Sequence, residues 1–223
     1  EKSDKKENKG DKKEKSEKKE NKSEKKEKKK EVKNEENGGG HKYFGDFLNN
    51  PDEPIYDKVY EYTGNTYIPI NRLLRALPSW PAEECKNGLS EVYREFYDDG
   101  MELYEYLGRF KVPENVIVYR FLSHEGVKEL FGRWFPRKGR RGREKAFMST
   151  SLLLSAAKEF AKSKRGVMLR IRVPAGTPGL YVSQDQYKGN LLRECELLLP
   201  PGIQLQVVKM GVFRLECEMS EIT

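Results

Sequence analysis

The chain has 223 residues, 35% of them charged, and a formal net charge of +7. That length allows one domain of ordinary size plus a tail, and no apolar run approaches the roughly 20 residues of a membrane-spanning helix, so a soluble protein with no membrane span is expected. Cys85, Cys195 and Cys217 show no short paired spacing, and His41 and His124 are the only histidines, which argues against a disulfide framework, a zinc site or a histidine-rich metal site, and no metal is expected.

Residues 1–37 contain 16 Lys and 12 Asp or Glu, with Val32 as the only sizeable apolar side chain. Such a stretch cannot bury enough surface to offset its ordering entropy, so disorder is expected. Its seven-residue near-repeat over 15–27 lacks apolar a and d positions, and a coiled coil has no seam to form on. Gly38, Gly39 and Gly40 follow as a joint, which divides the chain into a tail and linker, 1–40, and a folded domain, 41–223. Without residues 1–37 the chain carries 27 Lys plus Arg against 24 Asp plus Glu. The basic balance therefore comes mostly from the tail, and nucleic acid is not the expected partner.

Apolar and aromatic residues at helical spacing predict helices through 55–77, broken by Pro78 to Pro81, then short and long helices near 82–85 and 90–107. The period then changes. Strands are expected at 116–120, 146–151, 167–173, 180–183, 194–199, 204–210 and 213–218, with helices at 125–130 and 155–162. A loop rich in Gly and Arg is expected over 136–143. A helical half followed by a strand-rich half points to an α+β fold.

Two strings carry the chemical signal. Phe147-Met148-Ser149-Thr150-Ser151 is the first, and Glu194-Cys195-Glu196 running into Leu197, Leu198 and Leu199 is the second. In an extended strand Glu194 and Glu196 share a face while Cys195 points to the other, as a small core residue. Neighbouring carboxylates repel, a cost seldom accepted without a cationic substrate or partner. Taken singly, each piece has a plain reading: a polar strand for Ser149 to Ser151, a solvated face for the glutamates, a surface cation for Arg120.

The ordered set is more specific. Val118-Tyr119-Arg120, then Ser149-Thr150-Ser151, then Glu194-Cys195-Glu196 resembles the Arg, Ser-Thr-Ser, Glu-x-Glu signature of toxin-type mono-ADP-ribosyltransferases, and the likeness covers about residues 42–210. Tyr62, Tyr67 and Asn71, the segment Phe160-Ala161-Lys162, and the run from Leu169 to Ser183 are similar to the catalytic subunits of clostridial binary toxins such as iota toxin. The resemblance implies an ADP-ribosyltransferase fold of two packed, mainly antiparallel sheets with an N-terminal helical lobe, and NAD bound as co-substrate between them.

It also implies roles. Glu196 would hydrogen-bond the NAD ribose and stabilise the positive charge that develops when the nicotinamide bond breaks, with Ser149 holding its carboxylate. Arg120 would clamp the pyrophosphate or ribose. Tyr62, Tyr67, Asn71, Thr150, Phe160 and Arg165 would complete the NAD site, while Glu194 and Tyr187 would meet the acceptor. For Tyr62, Tyr67, Asn71 and Phe160, ordinary helix packing is the competing reading. The implied activity is transfer of ADP-ribose to an arginine of a host protein, with actin as acceptor by analogy, by a secreted bacterial toxin acting in the host cytosol.

The chain departs from the binary toxins where Phe121 replaces a second Arg, Ser163 replaces a cation, and Ala146 replaces an asparagine. An NAD glycohydrolase of the same fold and a catalytically silent NAD-binding module are the rival expectations. A nucleic-acid-binding domain using the tail and the 137–143 loop is a third, weaker one.

Overall fold

The computed structural model describes residues 55–81, 83–162, 165–182, 195–211 and 214–219. The tail and joint of 1–40, Tyr187 and Glu194 lie outside them.

The first half is helical. Helix α1 (Tyr56–Glu61) continues through a π-turn (Tyr62–Thr66) into α2 (Tyr67–Ala76), followed by α3 (Glu83–Asn87) and α4 (Glu91–Leu107). The π-turn has a local cause in Pro69, which lacks an N–H and crowds the carbonyl four residues back, that of Asn65, inside the widened turn. Ile70, Leu73 and Leu74 of α2 pack with Tyr97, Leu103 and Leu107 of α4. Lys58 of α1 ties the lobe at its surface, bonding Asp99 at 2.6 Å and Glu102 at 2.9 Å.

The second half supplies β1 (Val116–Ser123), α5 (His124–Phe131), β2 (Arg141–Arg143), β3 (Met148–Ser151), α6 (Leu154–Ala161), β4 (Gly166–Val173), β5 (Leu180–Val182), β6 (Glu196–Leu199), β7 (Gln204–Met210) and β8 (Arg214–Met219). The strands form one hydrogen-bonded sheet of order β2-β7-β8-β4-β1-β3-β6-β5, antiparallel except for β4 with β8. The expected two sheets are its two halves, joined at the β1–β3 step by the pairing of Tyr119 with Ser151. Both halves feed one apolar core, with Val118, Leu169 and Ile171 on one side and Met148, Leu197 and Leu199 on the other.

Alternation along β6 builds the layers. Leu197 and Leu199 enter the core between the sheet halves, while Leu198 joins Phe147, Leu180 and the helical lobe. All four residues of β6 are buried. At about 25 cal/mol per Å² of apolar surface removed from water, its three leucines are among the main contributors to the fold.

The edge of the sheet differs from expectation. Residues 141–143 form a strand, not part of a loop, because Arg141, Gly142 and Arg143 pair with Gln206, Leu205 and Gln204. Arg-Gly-Arg has little strand propensity of its own. Gly142 is needed there: a Cβ would come within 2.4 Å of the Leu130 carbonyl oxygen.

Candidate active site

Strands β3 and β6 place the hydroxyls and the carboxylate together. Their register sets Ser151 opposite Glu196 and Ser149 opposite Leu198, so Ser149, Ser151 and Glu196 share one face. That face looks into a cleft of about 220 Å³ lined by Arg120, Ser149, Thr150, Ser151, Phe160 and Glu196. Glu196 is buried, and Cys195 before it has φ 43°, a left-handed value uncommon outside glycine, so the chain enters β6 through a constrained turn. Cys195 itself lies in the core, but the strand expected over 194–199 begins only at Glu196, because the left-handed backbone at Cys195 interrupts the extended alternation.

Thr150 faces the other way. Its hydroxyl donates to the Leu197 carbonyl at 2.7 Å, tying β3 to β6. Ser151 Oγ closes a local turn, accepting from Leu153 N at 3.0 Å. Phe160, on α6, is half exposed over the cleft while its neighbours Ala156 and Ala157 are buried, which decides against the core reading of the ring.

Arg120 leaves β1 toward the same cleft. Its Nη1 makes a long 3.5 Å contact to the Ser149 carbonyl, and its Nη2 lies 3.4 Å from Glu144 Oε2. Burial lowers the Arg120 pKa from its ordinary value, and the Glu144 carboxylate opposes that shift. Glu144 is itself buried and accepts at Oε1 from Arg75 Nε and from Ala146 N, both at 3.2 Å.

Arg75 and Glu144 escaped the sequence reading. Arg75 occupies the last turn of α2 and Glu144 lies between β2 and β3, and neither belongs to a motif. The available signal was Glu144 standing five residues before Ser149, with no visible partner. Arg120 also borders a second cleft, of about 280 Å³, whose walls include Arg75, Arg143, Lys145, Glu129 and Glu144. Four cations against two carboxylates leave it with an excess of positive charge.

Tyr62 and Asn71 are buried between the helical lobe and β3. Asn71 donates to Tyr62 Oη at 2.9 Å and accepts from Phe147 N at 3.1 Å, so it fixes the approach to Ser149 from the helical side. The Tyr62 ring packs edge-on against Phe147, 5.4 Å between centroids. Burial raises its phenol pKa above the ordinary value; Asn71 opposes this through its hydrogen bond, the nearby Glu196 carboxylate adds to it, and Arg120 counters it. The π-turn brings Tyr67 within 6.5 Å of Tyr62, whereas five residues along an α-helix would turn the two rings well apart. Tyr67 is exposed.

Arg165 is exposed just before β4. Arg120 pairs with Leu169, four residues further on and about 13 Å along the strand. It does not line the cleft as found. Among the described residues no cluster of His, Cys, Asp or Glu could hold a metal ion, and no helix is long and apolar enough to cross a membrane.

Comparisons with known proteins agree with this fold. The ADP-ribosyltransferase exoenzyme family model matches residues 36–220. Among solved structures, C3stau2 from S. aureus, determined with NAD, is 23% identical, with 74% of this chain and 86% of that one covered and a TM-score of 0.56. The toxin Plx2a from Paenibacillus larvae is 19% identical, with 86% and 97% covered and a TM-score of 0.59. BECa, the ADP-ribosylating toxin of a C. perfringens binary enterotoxin, determined with NADH, is 21% identical; 81% of this chain matches 46% of BECa, with a TM-score of 0.59. No curated protein sequence matches the chain. The family match spans most of the chain and the fold is that of bacterial toxin ADP-ribosyltransferases, so this protein belongs to the ADP-ribosyltransferase exoenzyme family.

Proposed function

We propose that the protein transfers ADP-ribose from NAD to an arginine side chain of a host protein, releasing nicotinamide. The observation that carries the reading is the buried Glu196 carboxylate on one strand face with Ser149 and Ser151, in a cleft shared with Arg120 and Phe160. Structures of two family relatives determined with NAD and NADH support the choice of co-substrate.

NAD supplies a ribosyl centre that becomes cationic as the nicotinamide bond breaks. Glu196, held in low-dielectric surroundings, offers a negative charge to that centre and a hydrogen bond to a ribose hydroxyl. Ser149 stands diagonally across the strand pair to orient the carboxylate. Phe160 offers an aromatic face to the nicotinamide. Arg120 and Arg75, bracketing Glu144, offer two guanidinium groups to the pyrophosphate, which answers the absence of a second Arg after Arg120. The choice of arginine as acceptor rests on Glu194, two residues before Glu196, whose carboxylate suits a guanidinium. Tyr187 and Arg165 remain part of the proposal as acceptor and NAD contacts. Membership of the family supports secretion and action in a host cytosol as part of this reading.

The test is incubation of the protein with labelled NAD and host-cell lysate, beside an agmatine reaction, with Glu196→Gln as control. Label on a discrete protein and on agmatine, reduced by about 10²- to 10³-fold in the variant, is the expected result. Nicotinamide release without label on either acceptor would identify a glycohydrolase instead. Glu194→Gln is expected to lose transfer to agmatine while retaining NAD cleavage.

A further inference from the structure

We propose that the loop between α5 and β2 is an interfacial anchor that seats the protein on an anionic lipid bilayer. Residues 132–143 hold five Arg and one Lys and no acidic side chain. Phe135, at their centre, is 75% exposed, more than any other large hydrophobic residue among those described, and Trp134 beside it is 43% exposed.

This exposure belongs to a built loop. Gly132 closes α5 in the left-handed conformation at φ 70°. Arg140 Nε donates to the Phe131 carbonyl at 2.7 Å, and Arg140 N donates to the Arg137 carbonyl at 2.9 Å. Gly139 N donates to Val207 of β7 at 2.7 Å. Two contacts steady the aromatic pair from α5: Lys128 Nζ lies 5.3 Å over the Trp134 ring, and the His124 ring lies 6.3 Å from that of Phe135. Arg140 is thereby committed to the loop itself, which leaves Arg133, Arg137, Lys138 and Arg141 exposed around the two rings.

Shape selects the partner. A base-stacking site runs along a groove of the protein itself, and neither cleft described above is lined by residues 132–141. Cations of one sign around the rings, with no acidic side chain in 132–143, match the uniform negative charge of an anionic bilayer. A protruding pair of rings with cations around it needs no matching cavity when its counterpart is a bilayer interface. The rings enter the headgroup boundary and the cations meet anionic headgroups, each cation adding about fivefold to binding. The loop joins α5 and β2, whose Glu129 and Arg143 border the second cleft, so this anchor fixes how the cleft faces the bilayer.

The test is co-sedimentation of the full chain with vesicles of phosphatidylserine and phosphatidylcholine, against phosphatidylcholine alone. Phe135→Ser and the double change Arg137→Glu, Lys138→Glu are compared with the parent, all checked for unchanged melting by circular dichroism. Expected are binding only to the phosphatidylserine vesicles, and a loss of about tenfold or more in both variants. A blue shift of tryptophan emission on vesicle addition, absent in Trp134→Phe, places the loop in the interface; Trp80, packed against Tyr97 and Tyr104, supplies the constant background. Failure to bind the anionic vesicles overturns the proposal. So does binding that both variants retain, which assigns it to the Lys-rich tail, and so does binding of single-stranded RNA with vesicle binding absent.

Discussion

Arg120 and Glu144 meet at 3.4 Å, and the other oxygen of the same carboxylate takes Arg75 at 3.2 Å. A strand of the sheet, a segment at the sheet edge and a helix of the N-terminal lobe thus converge on one buried acid. Glu144 also anchors its own segment, whose N–H and C=O bond Ile203 and Gly202.

Replacing Glu144 by Ala leaves two guanidinium groups close together without their shared counter-charge. The expected cost is about 2–3 kcal/mol, below that of a fully buried pair because the Arg120 and Arg75 side chains keep 17% and 30% of their exposure. Denaturant unfolding reads it directly. An unchanged midpoint would mean that Glu144 does not hold the arginines. The KM for NAD is expected to rise as Arg120 loses its fixed position.

Phe160 separates packing from binding. Its ring is 49% exposed, so Phe160→Ala should change stability by no more than about 0.5 kcal/mol. If the ring stacks on nicotinamide, KM for NAD rises several-fold. Large destabilisation with normal kinetics would return Phe160 to a packing role.

Tyr62 gives a pH prediction. Its folded-state pKa is raised above the ordinary tyrosine value of 10.0, chiefly by burial. The folded protein therefore holds the phenol proton more tightly than the unfolded chain, and this stabilisation is complete below pH 10 and is lost as pH rises through the folded value. Tyr62→Phe should cost about 1 kcal/mol at neutral pH through the bond to Asn71, and should flatten the fall in stability above pH 10. Parallel stability curves for the two proteins up to pH 11 would count against it.

The thiols should divide by burial. Cys195 and Cys217 are buried and Cys85 is partly exposed. Burial pushes the Cys217 thiol up to about 12, so little thiolate is present at neutral pH. One thiol is expected to react quickly with an aromatic disulfide reagent, and two only on unfolding. Mass mapping of the first label to Cys217 would contradict the fold around β8.

Strands and helices were legible wherever a single period ruled the text. The span 204–210 was readable because alternation and β-branched residues agreed, and the Arg, Ser-Thr-Ser, Glu-x-Glu order identified the family. The β2 strand was not legible, since Arg141-Gly142-Arg143 is extended only because the edge of β7 offers it partners. The grouping of Tyr62 with Tyr67 was legible only through the family resemblance, because it depends on a π-turn that helical periodicity does not mark, even with Pro69 beside it.

The sequence by itself determined which residues share the candidate face of β3 and β6, because strand alternation is a local property and Ser149, Ser151 and Glu196 lie within those two strands. Only the tertiary structure decided what surrounds it. Glu144 and Arg75 are 69 residues apart in sequence, and their meeting depends on how α2 packs against the turn before β3. A buried carboxylate without a partner costs far more than one that two guanidinium groups offset. That balance is struck between distant side chains, where no local pattern in the sequence can record it.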